Sequence, residues 1–326
     1  METEDQRNTQ PQDEGDGFQP VAGRMTAQCT IRPLLSPKSK CCIGTWNVRT
    51  MFQTGKTTQL EREMLLYCIG ILGISECRWT GNGSVTTSLG NTIIYSGRKD
   101  NDHRQGVAIM MSKAAKKWMI EWTPINERLM IVRFKSRYTK LSVIQCYAPT
   151  NNAEEETKDT FYQQLQKAID NVPSHDVLLV IGDLNAKVGC SNEGREKIMG
   201  EKGSGDMNEN GERLADICGL NNLVIGGTIF EHKEIHKLTW ISPNGNVKNQ
   251  IDHVLIHGRW KHYLHNVTVK RDADVGSDHH LLLATIKLQL RRNPTKTDEK
   301  GQRYNTARLR NPRGQQEFLY SCKKQI

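Results

Sequence analysis

The chain has no long apolar run. Its most apolar windows, Val177–Ile181 and Leu281–Ile286, have the length of a strand, and mean hydropathy is −0.62. A membrane-spanning helix needs about 18 or more consecutive apolar residues, so none is expected and no membrane partner is foreseen. The first twenty residues are acidic and polar with no apolar stretch, which speaks against a secretory leader there. The nine cysteines are odd in number and never stand in C-x-x-C spacing. That pattern reads as free thiols in a reducing setting, nuclear or cytoplasmic, and not as a disulfide frame or a zinc site. A Walker-type glycine loop and a G-x-G-x-x-G are both missing, which argues against nucleotide-fuelled work. What is present suffices for a core: hydrophobic residues make up 36% of the 326, too many for a wholly disordered chain.

The net charge of +9 is unevenly spread. Residues 1–40 hold five basic and six acidic side chains, whereas residues 287–326 hold eleven basic and three acidic ones. A folded middle with a basic tail fits a polyanion partner, most simply nucleic acid. A polar, basic terminus that only confers solubility fits the same numbers.

Along the chain, residues 1–40 lack periodicity and read as a disordered N-terminal segment. Strands are expected at 41–48, 71–76, 92–95, 106–111, 129–134, 141–147, 176–181, 237–241, 250–256, 266–270 and 280–288, from short apolar runs bounded by turn residues. Helices are expected from Thr57 or Thr58, as the cap, to about Cys68, over 154–171 with Phe161, Leu165 and Ala168 on one stripe, and over 212–218, closed by Gly219. Long runs of consecutive strands with few helices do not fit one βαβα alternation. They suggest two stacked sheets with helices outside, a layered α/β sandwich.

Most of the unusual polar residues stand where an expected strand stops, the usual place for reactive groups in α/β folds. In V-L-L-V-I-G-D-L-N the strand should break at Gly182, leaving Asp183 and Asn185 on one side to deprotonate and hold a water; a plain capped loop is the alternative. Glu76, straight after an apolar strand, could hold a hard divalent cation or simply pair with Arg78. Asn47 in T-W-N-V-R-T would add a carbonyl oxygen. Asp252 lies inside an apolar strand, where a carboxylate needs a partner. His253 beside it points to the opposite face, so a distant histidine is the better one, and S-D-H-H offers Asp278 and His279, with His280 beginning the next strand as a packing residue. Tyr147 in C-Y-A-P and Thr239-Trp240 complete the set. An oxygen-rich inventory with one imidazole suits Mg²⁺-assisted displacement at phosphorus, and not acyl or hydride transfer.

In this order, T-W-N-V-R-T, I-S-E-C-R-W, C-Y-A-P-T, G-D-L-N-A, L-T-W, Q-I-D-H-V-L and S-D-H-H-L resemble the endonuclease/exonuclease/phosphatase superfamily over about residues 41–290. Within it they are similar to the apurinic-type endonuclease domain of LINE retrotransposons of the RTE kind. The segment 291–326, with R-Y-N-T-A-R-L-R-N-P, is similar to the linker that precedes a reverse transcriptase in such elements. The resemblance implies a four-layer α/β sandwich of two packed mixed sheets flanked by helices. It implies Mg²⁺, replaceable by Mn²⁺, on Glu76 and Asn47 with support from Asp278. Asp183 would activate the water that Asn185 holds, His279 would contact the scissile phosphate under the orientation of Asp252, and Tyr147 would support the phosphate. Arg49, Thr239, Trp240 and Ser277 are the expected substrate contacts. Repair enzymes of the superfamily commonly carry an acid where this chain has Arg49, which favours the retrotransposon branch. Three readings follow: a DNA-nicking endonuclease acting as a monomer, another phosphoesterase of the same fold, or an inactive nucleic-acid-binding module.

Overall fold

The computed structural model describes residues 34–100, 102–289 and 310–323. Two mixed β-sheets pack face to face with helices outside. The seven-stranded sheet contains β1 (Cys41–Asn47), β2 (Ile69–Ser75), β3 (Asn82–Thr86), β4 (Thr92–Ser96), β5 (Val107–Met111), β14 (Leu264–Lys270) and β15 (Leu281–Ile286), in the order β14-β15-β1-β2-β5-β4-β3. The six-stranded sheet contains β6 (Met119–Pro124), β7 (Leu129–Phe134), β8 (Leu141–Tyr147), β9 (Val177–Asp183), β10 (Leu223–Ile225) and β13 (Asp252–His257), in the order β10-β13-β9-β8-β7-β6. A small hairpin pairs β11 (Trp240–Ile241) with β12 (Lys248–Asn249).

Each large sheet holds one parallel pair, β1–β2 and β8–β9. Parallel neighbours need a crossover, and α1 (Lys56–Leu66) and α3 (Glu155–Asp170) supply the two, while the short α2 (Lys113–Lys116) leads from β5 to β6. The crossovers cover the outer faces. Leu60 and Met64 of α1 pack with Leu72, Ile74 and Leu283. Phe161 and Leu165 of α3 join Ile144, Val180 and Leu255, together with Leu214 and Ile217 of α4 (Glu209–Leu220). Between the sheets lie Ile71, Ile109, Val143, Leu179, Ile181 and Val254. β9 is buried along its whole length because its odd residues face the central core and its even ones face α3. This accounts for the unbroken apolar run in sequence.

Several expectations need correction. β9 does not break at Gly182 but runs on to Asp183, because Gly182 adopts φ +148°, a backbone open to glycine. Helix α1 begins at Lys56 after a left-handed Gly55, so no threonine caps it. Helix α4 starts three residues earlier than expected, capped by the Asn208 side chain, and Gly219 lies within it. Of the expected 237–241 strand only Trp240–Ile241 pairs. Ahead of β1, Leu34 and Leu35 are buried in the central core, while residues 1–33 lie outside the described residues. Leu288 is buried in the same core. In the basic tail, α5 (Pro312–Lys323) is helical, and 290–309 lies outside the described residues.

A Cβ at Gly182 would stand 2.0 Å from the Cys146 carbonyl oxygen, a backbone atom that cannot step aside. Gly182→Ala is therefore expected to destabilise the domain by roughly 3 kcal/mol or more, read as a lowered urea midpoint. An unchanged midpoint would show that β9 tolerates another path.

Candidate active site

The topology gathers the polar residues at one end. Asn47, Tyr147 and Asp183 are the last residues of β1, β8 and β9, and Glu76 follows β2 directly, so all four stand at carboxyl ends of the two parallel pairs. β13 and β15 run antiparallel to β9 and β1, so the start of each returns to that end and brings Asp252 and His279 with it. Asp252 is the cross-strand partner of Asp183. Four non-glycine residues here, Arg49, Glu76, Arg78 and Asn185, have φ between 47° and 60°. Such left-handed backbone costs about 1–3 kcal/mol per residue and collects where function requires it.

Asp183 is buried at the centre. Its Oδ2 accepts from Asn47 Nδ2 at 2.9 Å and its Oδ1 from the Asn185 backbone N–H at 3.0 Å. The same Asn47 nitrogen donates to Glu76 Oε1 at 2.9 Å, and the Tyr147 hydroxyl donates to that oxygen at 3.1 Å. Arg78 grips the other Glu76 oxygen at 3.0 Å, so the foreseen ion pair and the site role coexist. Burial, then the like charge of Asp252, raises the Asp183 pKa well above the usual carboxylate range, against the pull of His279, Asn47 and Asn185. Burial, then Glu76, also raises that of Tyr147.

His279 Nδ1 bonds Asp252 Oδ2 at 2.9 Å, and its Nε2 stands 3.8 Å from Asp183 Oδ2. Burial pushes the imidazole pKa down, but the charges of Asp252 and Asp183 and the Asp252 hydrogen bond outweigh it and lift the value to about 9. His253 points away, its Nε2 on the Ala186 carbonyl at 2.7 Å, as strand alternation requires.

Asp183, Glu76, Tyr147, Asn185 and His279 face an open cavity of about 440 Å³, rimmed by Arg49, Trp240 and Asp278. Asp278 accepts from Trp240 Nε1 at 3.0 Å and stands 3.8 Å from Arg49 Nε, which makes it a rim residue. Two expected substrate contacts, Thr239 and the half-buried Ser277, hold backbone groups. Thr239 is buried, and its hydroxyl accepts the backbone N–H groups of Ile251 and Asp252 at 3.0 Å, fixing the start of β13. Ser277 donates to the Asn47 carbonyl at 2.7 Å and accepts the His279 N–H at 3.1 Å. Asn151, Lys187, Asn208 and Asn249 also line the cavity, and sequence reasoning missed them. Asn151, Lys187 and Asn249 each adjoin one of the motifs, C-Y-A-P-T, G-D-L-N-A and Q-I-D-H-V-L, whereas Asn208 does not.

For a hard cation the donors fit in kind: carboxylates of Glu76 and Asp183 converge on one point, now bridged by the Asn47 amide. Asn47 presents nitrogen there, since its Oδ1 accepts the Arg49 N–H at 3.0 Å. It becomes an oxygen donor only if the amide turns over. Among the described residues, Asp183, Asp252 and His279 form the one acid–histidine group with ligand atoms within 4.8 Å of one another.

The fold and parts of the sequence match known proteins. The family described as "Endonuclease-reverse transcriptase" matches residues 141–283. The fold is also that of the endonuclease domain of TRAS1, a telomere-specific non-LTR retrotransposon, at TM-score 0.54 and 17% identity over 77% of this chain and 100% of that one. The AP endonuclease LMAP from Leishmania major gives TM-score 0.59 at 13% identity over 78% and 90%. The fold is that of the endonuclease/exonuclease/phosphatase superfamily. The chain is similar to craniofacial development protein 2 of Bos taurus and of Tragulus javanicus, 40% identical to each over 260 residues. That stretch is 80% of this chain but 43% and 44% of those proteins, so the chain spans less than half the length of these relatives.

The raised pKa of His279 makes a prediction with a definite sign. The folded value, about 9, lies above the free value of about 6.5. Its stabilising contribution is thus fully present below about pH 6.5 and is lost as pH rises through about 9. In EDTA-treated protein the His279 ring signals should titrate near pH 9, and Asp252→Asn should bring the midpoint down by more than a unit. A ring already neutral at pH 7.5 would overturn the assignment.

Proposed function

We propose that the chain is a metal-dependent DNA endonuclease that hydrolyses one phosphodiester by in-line attack of water, leaving 3′-hydroxyl and 5′-phosphate ends. The observation that carries this reading is Asp183: a buried carboxylate of raised pKa, held between the Asn47 amide and the His279–Asp252 pair on the floor of an open polar cavity. A carboxylate with its pKa near the working range is a competent base for water. The neighbours described as retrotransposon and AP endonucleases, and the basic tail, support DNA as substrate and a retrotransposon ancestry. Such a substrate would place the protein in the nucleus.

Glu76 would hold Mg²⁺, or Mn²⁺ in its place, with Asp183 alongside and Asn47 after reorientation. Bound there, the cation would stabilise charge on the phosphate and on the departing 3′ oxygen. Asp183 takes a proton from the attacking water. Asn185 commits its amide nitrogen to the Ala148 carbonyl at 3.0 Å, leaving Oδ1 to aim that water. His279, charged at neutral pH and locked at Nδ1 by Asp252, donates from Nε2 to a non-bridging phosphate oxygen. Arg49 and Trp240 receive the strand at the rim, and Tyr147 steadies Glu76.

Asp183→Asn keeps the shape but cannot accept the proton. It should lower nicking of supercoiled plasmid on the order of 10³-fold while the protein still melts cooperatively. Nicks made by the wild-type enzyme should be extended by a DNA polymerase with no prior phosphatase treatment. Near-normal nicking by the variant, or ends that need 3′-phosphate removal, would defeat the mechanism. Processing of linear ends with no nicking would instead favour an end-directed phosphoesterase, in keeping with the neighbour described as a 3′-5′ exonuclease (NExo) from Neisseria meningitidis.

Deleting 291–326 removes ten basic and three acidic residues but spares Leu288. DNA affinity should fall, and the slope of log K against log salt should become shallower by about 0.9 for each phosphate that the tail neutralises. An identical slope would free the tail of any role in binding.

A further inference from the structure

Resting on the nuclease reading above, we infer that Ser75 and Gln145 are positioning residues that set the spacing between Glu76 and Asp183. Glu76 follows a strand of the seven-stranded sheet, whereas Asp183 and Tyr147 end strands of the six-stranded one. Most of the interface between these sheets is apolar. Such packing is non-directional and does not by itself register one sheet against the other. Directly beneath the site the contact changes character.

Ser75 and Gln145 are both fully buried. The Ser75 hydroxyl donates to the Cys146 carbonyl at 3.1 Å. Gln145 Nε2 donates to Ser75 Oγ at 3.0 Å and to the same carbonyl at 3.1 Å. The Asp183 N–H reaches Ser75 Oγ at 3.4 Å. One hydroxyl thus ties the residue before Glu76 to the residue before Tyr147 and to Asp183 itself. The seat for the amide is built by an absence: a Cβ at Gly73 would stand 1.9 Å from Gln145 Oε1.

Stability alone does not account for this cluster. Gln145 Oε1 is buried with no hydrogen-bond partner in the protein. An unsatisfied buried acceptor is destabilising, and an apolar side chain at 145 would avoid it. What the cluster supplies, and apolar packing would not, is direction: it holds the two carboxylates in the relation that lets one amide, Asn47, bridge them. Displacing a reacting group by about 1 Å can cost about 10²-fold in rate.

The test compares wild type with Ser75→Ala, Gln145→Met and the double variant. Nicking kcat should fall on the order of ten- to a hundredfold in each single variant, with KM within about twofold and the double variant no worse than the poorer single one. A second readout needs no catalysis. In EDTA-treated protein the His279 ring, 3.8 Å from Asp183, should change its NMR shifts in both variants, while the His232 ring, bonded to Asn266, should not. Unmoved His279 signals with wild-type kcat in either variant would overturn the proposal. So would losses of kcat that follow KM and melting temperature together. If the wild-type protein does not nick at all, the nuclease reading fails, and the His279 shifts alone decide whether Ser75 and Gln145 position Asp183.

Discussion

Two carboxylates face each other across the β9–β13 ladder inside the protein. Asp183 and Asp252 are direct cross-strand partners, both buried, with ligand atoms within 4.8 Å. At that separation two full charges repel by about 3 to 4 kcal/mol for an effective dielectric of about 20. The pairing is tolerable only because a charged imidazole stands against both and because donors from Asn47 and Asn185 saturate Asp183. On the proposed reading the same compromise that threatens the fold would prepare the chemistry: a carboxylate that resists ionisation accepts a proton readily, and an imidazole that resists deprotonation would keep a donor for phosphate.

The rest of the architecture serves that juxtaposition. Residue pairing across a ladder is all-or-none in register, since a slip by one residue turns every side chain to the other face. Gly182 lets β9 reach Asp183 without a break, and the Thr239 hydroxyl anchors the opposing end of β13. The parallel pairs point their carboxyl ends to this place, and their antiparallel neighbours start there, so six side chains from both sheets meet with little help from loops. The left-handed backbone at Arg49, Glu76, Arg78 and Asn185 marks where strands must turn sharply to release those side chains.

How much of this could be read in advance follows from the kind of signal each part leaves. Interior strands such as β2, β8 and β9 announce themselves as apolar runs, and α3 by its stripe of Phe161 and Leu165. Edge strands do not: β3 is polar and mostly exposed, and β10 is three residues long. The residues that meet in the site were legible because acids and amides stand where expected strands stop, and because the order of their motifs resembles a known superfamily. Alternation excluded His253 as the partner of Asp252, whereas His279 came from the S-D-H-H motif and from the resemblance. The orientation of an amide was not legible, so Asn47 was expected to offer oxygen where it offers nitrogen. Nor was the direction of a small hydroxyl, and Thr239 and Ser277 turn inward to hold the backbone. Lining residues such as Asn208 come from segments distant in sequence and carry a capping signal that conceals any second task.

The site divides into a rigid floor and a loose rim, and the division assigns the work. On the floor, Asp252–His279 is a short, buried contact at 2.9 Å whose partners cannot leave without stranding a charge. At the rim, Arg49 stands 3.8 Å from Asp278 with a side chain 54% exposed, a contact of the kind worth little in water. Arg49 can therefore exchange Asp278 for a phosphate at small expense, while its backbone N–H stays on the Asn47 oxygen and keeps the amide aimed at the two carboxylates. An acid at this position would repel the strand and compete for the same amide. Under the proposed nuclease reading, arginine would instead couple capture of the polyanion to the geometry of the floor through that backbone N–H.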